Sequence, residues 1–249
     1  MRQLQLRFQE KEYIIQLNKK TSIAIPLIPN QENVSCYYAE QPKAEIIRSG
    51  DFVGSVAEGG SVNYRTLLLT PHGNGTHTEC YGHISDDRFT MIDCDVPTFL
   101  IAQLVTVSPV KRGEDYIITW GMLQHQITTP TPEALIIRTL PNGTDKLKRA
   151  YSGTNPPYLD PEVGQKLREH DIKHLLVDLP SVDREEDEGR LSVHKGFWNF
   201  PRAPRINSTI TELIFVPNHL SDGIYVLNLQ LPRIALDAVP SQPIIYPLQ

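Results

Sequence analysis

This sequence predicts a strand-rich α/β fold with few helices, on three observations. Twenty prolines among 249 residues favour many short elements joined by firm turns over a long helical bundle. The runs "TFLIAQLVTVSPV" and "EALIIRTL" are β-branched and apolar, of the buried-strand type. A helix start in "YLDPEVGQKLREHDI" is followed at once by the strand-like "KHLLVDLPS", the alternation of helix and strand found in α/β folds. With 40% hydrophobic residues the chain can bury a sizeable core. No linker long enough to separate two domains is visible, so one domain is expected over residues 1–249.

Taken in order, the first segment, "MRQLQLRFQEKEYIIQL", reads as an opening hairpin. Leu4, Leu6 and Phe8 alternate with polar neighbours, and "YIIQL" follows the charged turn "QEKE". "TSIAIPLI" and "VNYRTLLLT" are further extended segments, the second stopped by Pro71, which has no N–H to continue a ladder. "TWGMLQHQI" is a candidate short helix. The helix after Tyr158 has Asp160 as N-cap, Pro161 at its first position and Glu162 in its first turn, with Val163 and Leu167 on one face. "TELIFVPNHLSDGIYVLNLQL" closes the chain as two strands around the turn signal Asp222-Gly223. The acidic run "DREEDEG", residues 183–189, reads as a solvated loop.

Composition narrows the function. A net charge of -5 with the 24 Lys and Arg scattered along the chain offers no basic surface for nucleic acid. No segment has the length and apolarity of a signal peptide or a membrane span, so a cytoplasmic protein without a membrane partner is expected. Cys36, Cys80 and Cys94 are odd in number and lack CxxC spacing, which argues against a disulfide framework or a cysteine zinc finger.

The chemistry concentrates in "LLLTPHGNGTHTECYGHISDD", residues 67–87, with His72, His77, Glu79 and His83 hanging from the end of a strand. His77 and Glu79 are two apart, which in extended chain points both side chains to one face. His83 keeps the same parity, and the glycines of "GNG" let His72 fold back. Imidazole with carboxylate, without clustered thiolates, suits a divalent metal of the Zn, Mn or Fe kind. Three histidines close in sequence are also compatible with a histidine-rich turn. His77, Glu79 and the remote His194 would alternatively make the two-histidine, one-carboxylate triad of mononuclear Fe(II) oxygenases, which leaves His72 and His83 without roles.

The stretch resembles the signature of the Putative cyclase family, whose best-known members are bacterial kynurenine formamidases and related metal-dependent amide or ester hydrolases. The family pattern is approximately His-x-Gly-Thr-His-x-Asp-x-Pro-x-His. Gly75-Thr76-His77, then Glu79 and His83, keep its order. "SIAIPL", "EALIIRTL" and "HLLVDLPSVD" resemble other family segments, and the likeness spans roughly residues 20–230. Here His72 stands five residues before His77, against four in the family, Glu79 takes the place of aspartate, and Cys80 and Tyr81 replace a small residue and proline.

The resemblance implies a swivelling β/β/α cyclase-like fold and hydrolysis of a carbon–nitrogen bond other than a peptide bond, of the arylformamidase type, or of a cyclic amide or lactone, in a small-molecule substrate. It implies two divalent ions per chain, Zn or Mn. His72, His77 and Glu79 would hold one, with Glu79 bridging to a second held by His194 and Glu212, and His83 would be the catalytic general acid and base. It also implies a homodimer or larger homo-oligomer. From the residues alone, Glu212 reads as a solvent-facing strand position and His194 as the cap of a turn. Arg138 is read either as a substrate-carboxylate ligand or as a structural partner of Asp178, with Asp178 and Ser181 bonding the turn after their strand. Cys80 is a ligand or a buried filler, and Trp120, Phe197 and Trp198 are pocket walls or core. A protein that keeps this fold for binding without turnover is the remaining alternative.

Overall fold

The computed structural model describes residues 3–8, 10–86 and 88–248. Among them the central feature is a nine-stranded sheet. Its strands in chain order are β1 (Thr21–Ser22), β2 (His77–Glu79), β3 (Phe99–Val107), β4 (Ala134–Thr139), β5 (His174–Val177), β6 (Thr209–Glu212), β7 (Gly223–Gln230), β8 (Ala238–Pro240) and β9 (Gln242–Pro247). Across the sheet they run β8-β2-β6-β5-β4-β3-β7-β9-β1. The middle four, β3 to β6, are parallel, and antiparallel strands flank them on both sides.

Of the parallel strands, β3, β4 and β5 are largely apolar without alternation because both faces are covered. Leu135 and Ile137 of β4 point into a core shared with the helices α1 (Trp120–Leu123), α2 (Pro161–Glu169) and α3 (Ser192–Trp198). Ala134 and Ile136 point the other way, to Leu100, Leu104, Tyr225 and Leu227. The fold is thus the strand-rich α/β arrangement with few helices that the sequence predicts.

Helix α2 starts where expected, with Pro161 first and Val163 and Leu167 buried. Asp160 holds the N-cap position, yet its carboxylate accepts from Arg112 at 2.9 Å and makes no side-chain cap bond. Helices α2 and α3 meet at two glycines. A Cβ on Gly164 would lie 2.1 Å from the Val193 carbonyl oxygen, and one on Gly196 would lie 2.8 Å from the Gln165 nitrogen. Only residues without side chains let the two backbones approach so closely, and this contact seats α3, which carries His194.

Four expectations are corrected in detail. "TSIAIPLI" contributes only β1 and a single bridge from Ala24 to Ile214, because Pro26 and Pro29 interrupt its ladder. Arg65–Leu68 is a strand, but it pairs with Lys43–Ile46 in a separate ribbon outside the main sheet. Asp222-Gly223 does not join a hairpin. It opens β7, which pairs with β3 and β9 and lies several strands away from β6, and β8 and β9 then follow. "RLSVHKGFWNF" holds a helix, α3, where a turn was the alternative reading for His194. The opening hairpin is present as Gln3–Phe8 antiparallel to Lys11–Gln16, and Gln9 of its turn lies outside the described residues. Leu4, Leu6 and Phe8 pack toward Ile15, Ile101 and Tyr246. Among the described residues no helix is long and apolar enough to cross a membrane.

Candidate metal centre

The site forms where β2 lies between β6 and β8. In the antiparallel register His77 stands opposite Glu212, Thr78 opposite Thr211 and Glu79 opposite Ile210. The period of two then puts His77, Glu79 and Glu212 on one face. Thr78 turns to the other, where its hydroxyl bonds Thr211 and Ser241, each at 2.8 Å. His77 Nε2 lies 3.4 Å from Glu212 Oε2, and all three side chains are buried.

The loop before β2 has its own logic. Gly75 takes φ +71, and a Cβ there would lie 2.7 Å from Leu27 Cδ2, so the sharp entry to the strand needs glycine. Thr76 Oγ1 accepts from the Ile25 N–H and donates to the Leu213 carbonyl, tying the loop to the residue after Glu212. His72 lies in the 3-10 turn Pro71–Gly73, and Asn74 Oδ1 accepts from Thr70 N at 2.8 Å. His72 is thereby turned back so that its Nε2 lies 3.7 Å from Glu79 Oε2.

His194 comes from α3. Its Nε2 is 3.1 Å from Glu79 Oε1 and 4.0 Å from Glu212 Oε1. His83, on the 3-10 turn Tyr81–Ile84, places Nε2 3.7 Å from Glu79 Oε2. The structure therefore brings together His72, His77, Glu79, His83, His194 and Glu212, with Glu79 at the centre. Possible ligand atoms converge in three overlapping groups: His77 with Glu79 and Glu212, Glu79 with His83 and His194, and His72 with His83 and Asp237. The isolated triad of His77, Glu79 and His194 is not what the fold presents, since Glu212 and His72 also close on it.

Two carboxylates that the sequence reading did not place in the site belong to it. Asp183, first residue of the acidic run, is buried and accepts from His194 Nδ1 at 2.6 Å and from the backbone N–H groups of Val193 and His194. This corrects the solvated-loop reading for Asp183, and the "SVD" turn was its available signal. Asp237, directly before β8, lies with Oδ2 3.0 Å from His72 Nε2 and 3.1 Å from His83 Nδ1. A lone aspartate 154 positions from His83 carries no local signal.

Charge in the site is strongly coupled. Burial disfavours the charged form of Glu79, but the surrounding imidazoles, His83 first, prevail and take its carboxyl down to about 2. Burial likewise opposes the His194 imidazolium, yet Asp183 and Glu79 raise it to about 10. At His77 the Glu212 carboxylate outweighs burial and leaves the imidazole above its ordinary value. The imidazoles of His72 and His83 hold Asp237 far below the usual carboxylate range.

A divalent metal fits these residues. His77 Nε2 and Glu79 Oε2 are buried without a hydrogen-bond partner, a costly state for polar atoms that a cation would relieve. The donors are imidazole nitrogens and carboxylate oxygens, a set suited to a divalent metal of the Zn, Mn or Fe kind. Beside them opens a cleft of about 340 Å³, bordered by Tyr37, Ser181, Arg184 and Leu191. A larger groove of about 450 Å³ near Glu133 and Arg205 contains none of the groups of the metal cluster.

The other singled-out residues are structural. Arg138 bonds Thr106, the carbonyls of Pro217 and Leu220, and Asp222 at 3.1 Å, so it binds neither Asp178 nor a substrate in the cleft. Asp178 instead pairs with buried Lys146 at 2.8 Å. Ser181 does bond its turn, accepting from Asp183 N. Cys80 is buried against Met91 and Val239, and burial pushes its thiol up to about 11, which makes it a filler. Trp120, Phe197 and Trp198 belong to the helix-side core, although the Trp198 ring lies 5.5 Å from that of His194.

A buried imidazole and carboxylate cluster on a mixed sheet defines a candidate metal centre of the metal-dependent hydrolase type. The Putative cyclase family model matches residues 15–184, and the chain belongs to that family. The match ends before α3, so His194 and Glu212 are placed in the site by the fold. Among relatives, the chain is 29% identical to kynurenine formamidase of Geobacillus thermodenitrificans over 187 residues, covering 74% of this chain and 80% of that one. It is 27% identical to kynurenine formamidase of Bacillus cereus over 197 residues, covering 78% and 85%. Its fold is similar to that of a potential metal-dependent hydrolase with cyclase activity, with TM-score 0.64, 16% identity and 92% and 97% of the two chains covered. It is also similar to isatin hydrolase A from Labrenzia aggregata, with TM-score 0.64, 14% identity and 91% and 93% covered.

Proposed function

We propose that the chain is a metal-dependent hydrolase of a carbon–nitrogen or ester bond in a small molecule, of the aryl formamide, cyclic amide or lactone kind. The observation that carries this reading is the set of buried, unpartnered donor atoms His77 Nε2 and Glu79 Oε2 beside Glu212 and His194, which line the cleft. His72, His77, Glu79, His194 and Glu212 would hold two divalent ions, Zn or Mn, with Glu79 shared. When bound, such ions bring the pKa of a water from 15.7 toward ~7 and polarise the carbonyl under attack.

The chain's own residues do the rest. His83, with Nε2 facing Glu79 across 3.7 Å and its ring about a third exposed on the cleft side, takes the proton from the attacking water and gives it to the leaving nitrogen or oxygen. Asp183 holds the hydrogen of His194 on Nδ1 and so keeps Nε2 directed at the cluster. Leu191 and Tyr37 narrow the cleft. The reading includes one domain and a homo-oligomer. It is supported by exposed Leu67 and Leu68 on the ribbon outside the sheet, with exposed Tyr64 just before it and Phe52 of the neighbouring hairpin against Tyr64, an apolar surface of the kind that interfaces cover.

Elemental analysis of the purified protein should find roughly one or two divalent ions per chain. Aryl formamides, cyclic amides and lactones, screened with Zn or Mn added, should include a substrate, and His83→Ala should abolish its hydrolysis while metal content stays. Absence of metal together with no activation by Zn or Mn overturns the reading, and metal retained without any turnover makes the protein a binding module.

A further inference from the structure

We propose that Asp237 is the positioning residue of His83: it keeps the ring hydrogen on Nδ1 and leaves Nε2 free to accept a proton in the cleft. The inference rests on the proton-transfer role of His83 in the reading above. Asp237 is fixed at its backbone. β8 pairs with β2 in a register that sets Ala238 against Glu79, and the Asp237 carbonyl accepts from Cys80 N at 3.0 Å and from the Cys80 thiol. His83 N in turn donates to the Cys80 carbonyl at 3.0 Å. One residue, Cys80, thus ties together the backbones of both partners, and the carboxylate is aimed by the sheet and not by a free loop.

The side chains complete the arrangement. Asp237 Oδ2 lies 3.1 Å from His83 Nδ1. An ionised carboxylate can only accept, so the hydrogen sits on Nδ1 and the lone pair on Nε2. That Nε2 faces Glu79 Oε2 across 3.7 Å, on the side where the donor atoms converge. Rotation of the ring is opposed by His72, stacked on it with centroids 4.4 Å apart and planes 29° apart, whose own Nε2 lies 3.0 Å from the same Asp237 oxygen. With Asp237 absent, Nδ1 would face the half-open cleft without an acceptor, and the form with hydrogen on Nε2, unable to take a proton there, becomes accessible. An outer carboxylate that orients a functional histidine is worth about 10–100-fold when removed.

The test uses Zn-loaded protein with ¹⁵N-labelled histidine, the His83 resonances being assigned by their loss in His83→Gln. The wild type should show hydrogen on Nδ1 of His83, and Asp237→Ala should show the Nε2–H form. With the substrate found by the screen, kcat of Asp237→Ala should fall roughly 10–100-fold, with KM and Zn content held. Asp237→Asn, which keeps the shape, takes its place if the alanine variant does not fold. An unchanged His83 tautomer or an unchanged kcat overturns the proposal, and so does loss of Zn, which would make Asp237 a metal ligand together with His72. Full activity of His83→Ala would instead overturn the proton-transfer reading, and the NMR arm still reports on Asp237.

Discussion

Replacing Asp183 by asparagine removes one negative charge from beneath the metal cluster while preserving shape. The carboxylate accepts three hydrogen bonds, from His194 Nδ1 at 2.6 Å, Val193 N at 2.9 Å and His194 N at 3.1 Å. Oδ1 takes the Val193 N–H, whereas Oδ2 serves both groups of His194. An amide offers only one oxygen, so whichever way it turns, an NH₂ faces a donor. A hydrogen bond to a charged group contributes about 1.5–3 kcal/mol, and a buried site gives little solvent compensation. The expected loss is about 2 kcal/mol of stability, which for a chain of this size lowers Tm by roughly 4–8 °C. His194 is then no longer held with Nε2 toward Glu79, and Zn affinity should weaken about 10–100-fold. Competition against a chromophoric chelator measures the affinity, and far-UV circular dichroism checks the fold. A folded Asp183→Asn variant with wild-type Zn affinity would refute the argument and reduce Asp183 to a cap for the first turn of α3.

Two further outcomes follow from the fold. Gly164→Ala places a Cβ against the Val193 carbonyl, 2.1 Å away before relaxation, and should cost about 1–3 kcal/mol through overpacking. It should also lower Zn occupancy by displacing α3 and His194, both readable from thermal melts and elemental analysis; wild-type values for both would show that the helix contact does not seat the site. His174 is buried, and burial together with the charges of Lys173 and Arg205 lowers it from 6.5 to about 4. Its folded pKa lies below the unfolded one, so the unfolded chain binds the extra proton. Stability is full above about pH 6.5 and declines as pH falls toward 4, by at most about 3 kcal/mol. Urea unfolding at pH 7 and pH 4.5 should therefore show a smaller pH difference for His174→Gln than for the wild type, and equal differences would contradict the assignment.

Local features of the chain were legible because they depend on neighbours in sequence. The parity of His77 and Glu79, the Pro161 start of α2, and the apolar runs of β3 and β4 follow from backbone period and from the missing N–H of proline. The likeness of the Gly75-Thr76-His77 stretch to the cyclase signature identified the family, and the roles of Gly75 and Thr76 in the turn give it a physical basis. Where the chain departs from simple patterns, local reading failed. The exposed ribbon strand Arg65–Leu68 looks as apolar as a core strand, and α3 holds Gly196 and a histidine that disguise it as a turn.

What only the tertiary structure decided is which distant groups meet. His194 and Glu212, which the family resemblance had named, and Asp183 and Asp237, which it had not, reach the cluster because the sheet order places β2 between β6 and β8 and because α3 packs closely on α2. Sequence by itself determined the fold class, the family and the half of the site that lies on one short strand and its flanking loops. The other half, including the carboxylate behind each of two histidines, is set by strand neighbours that are remote in the chain, and long-range pairing leaves no trace in local periodicity.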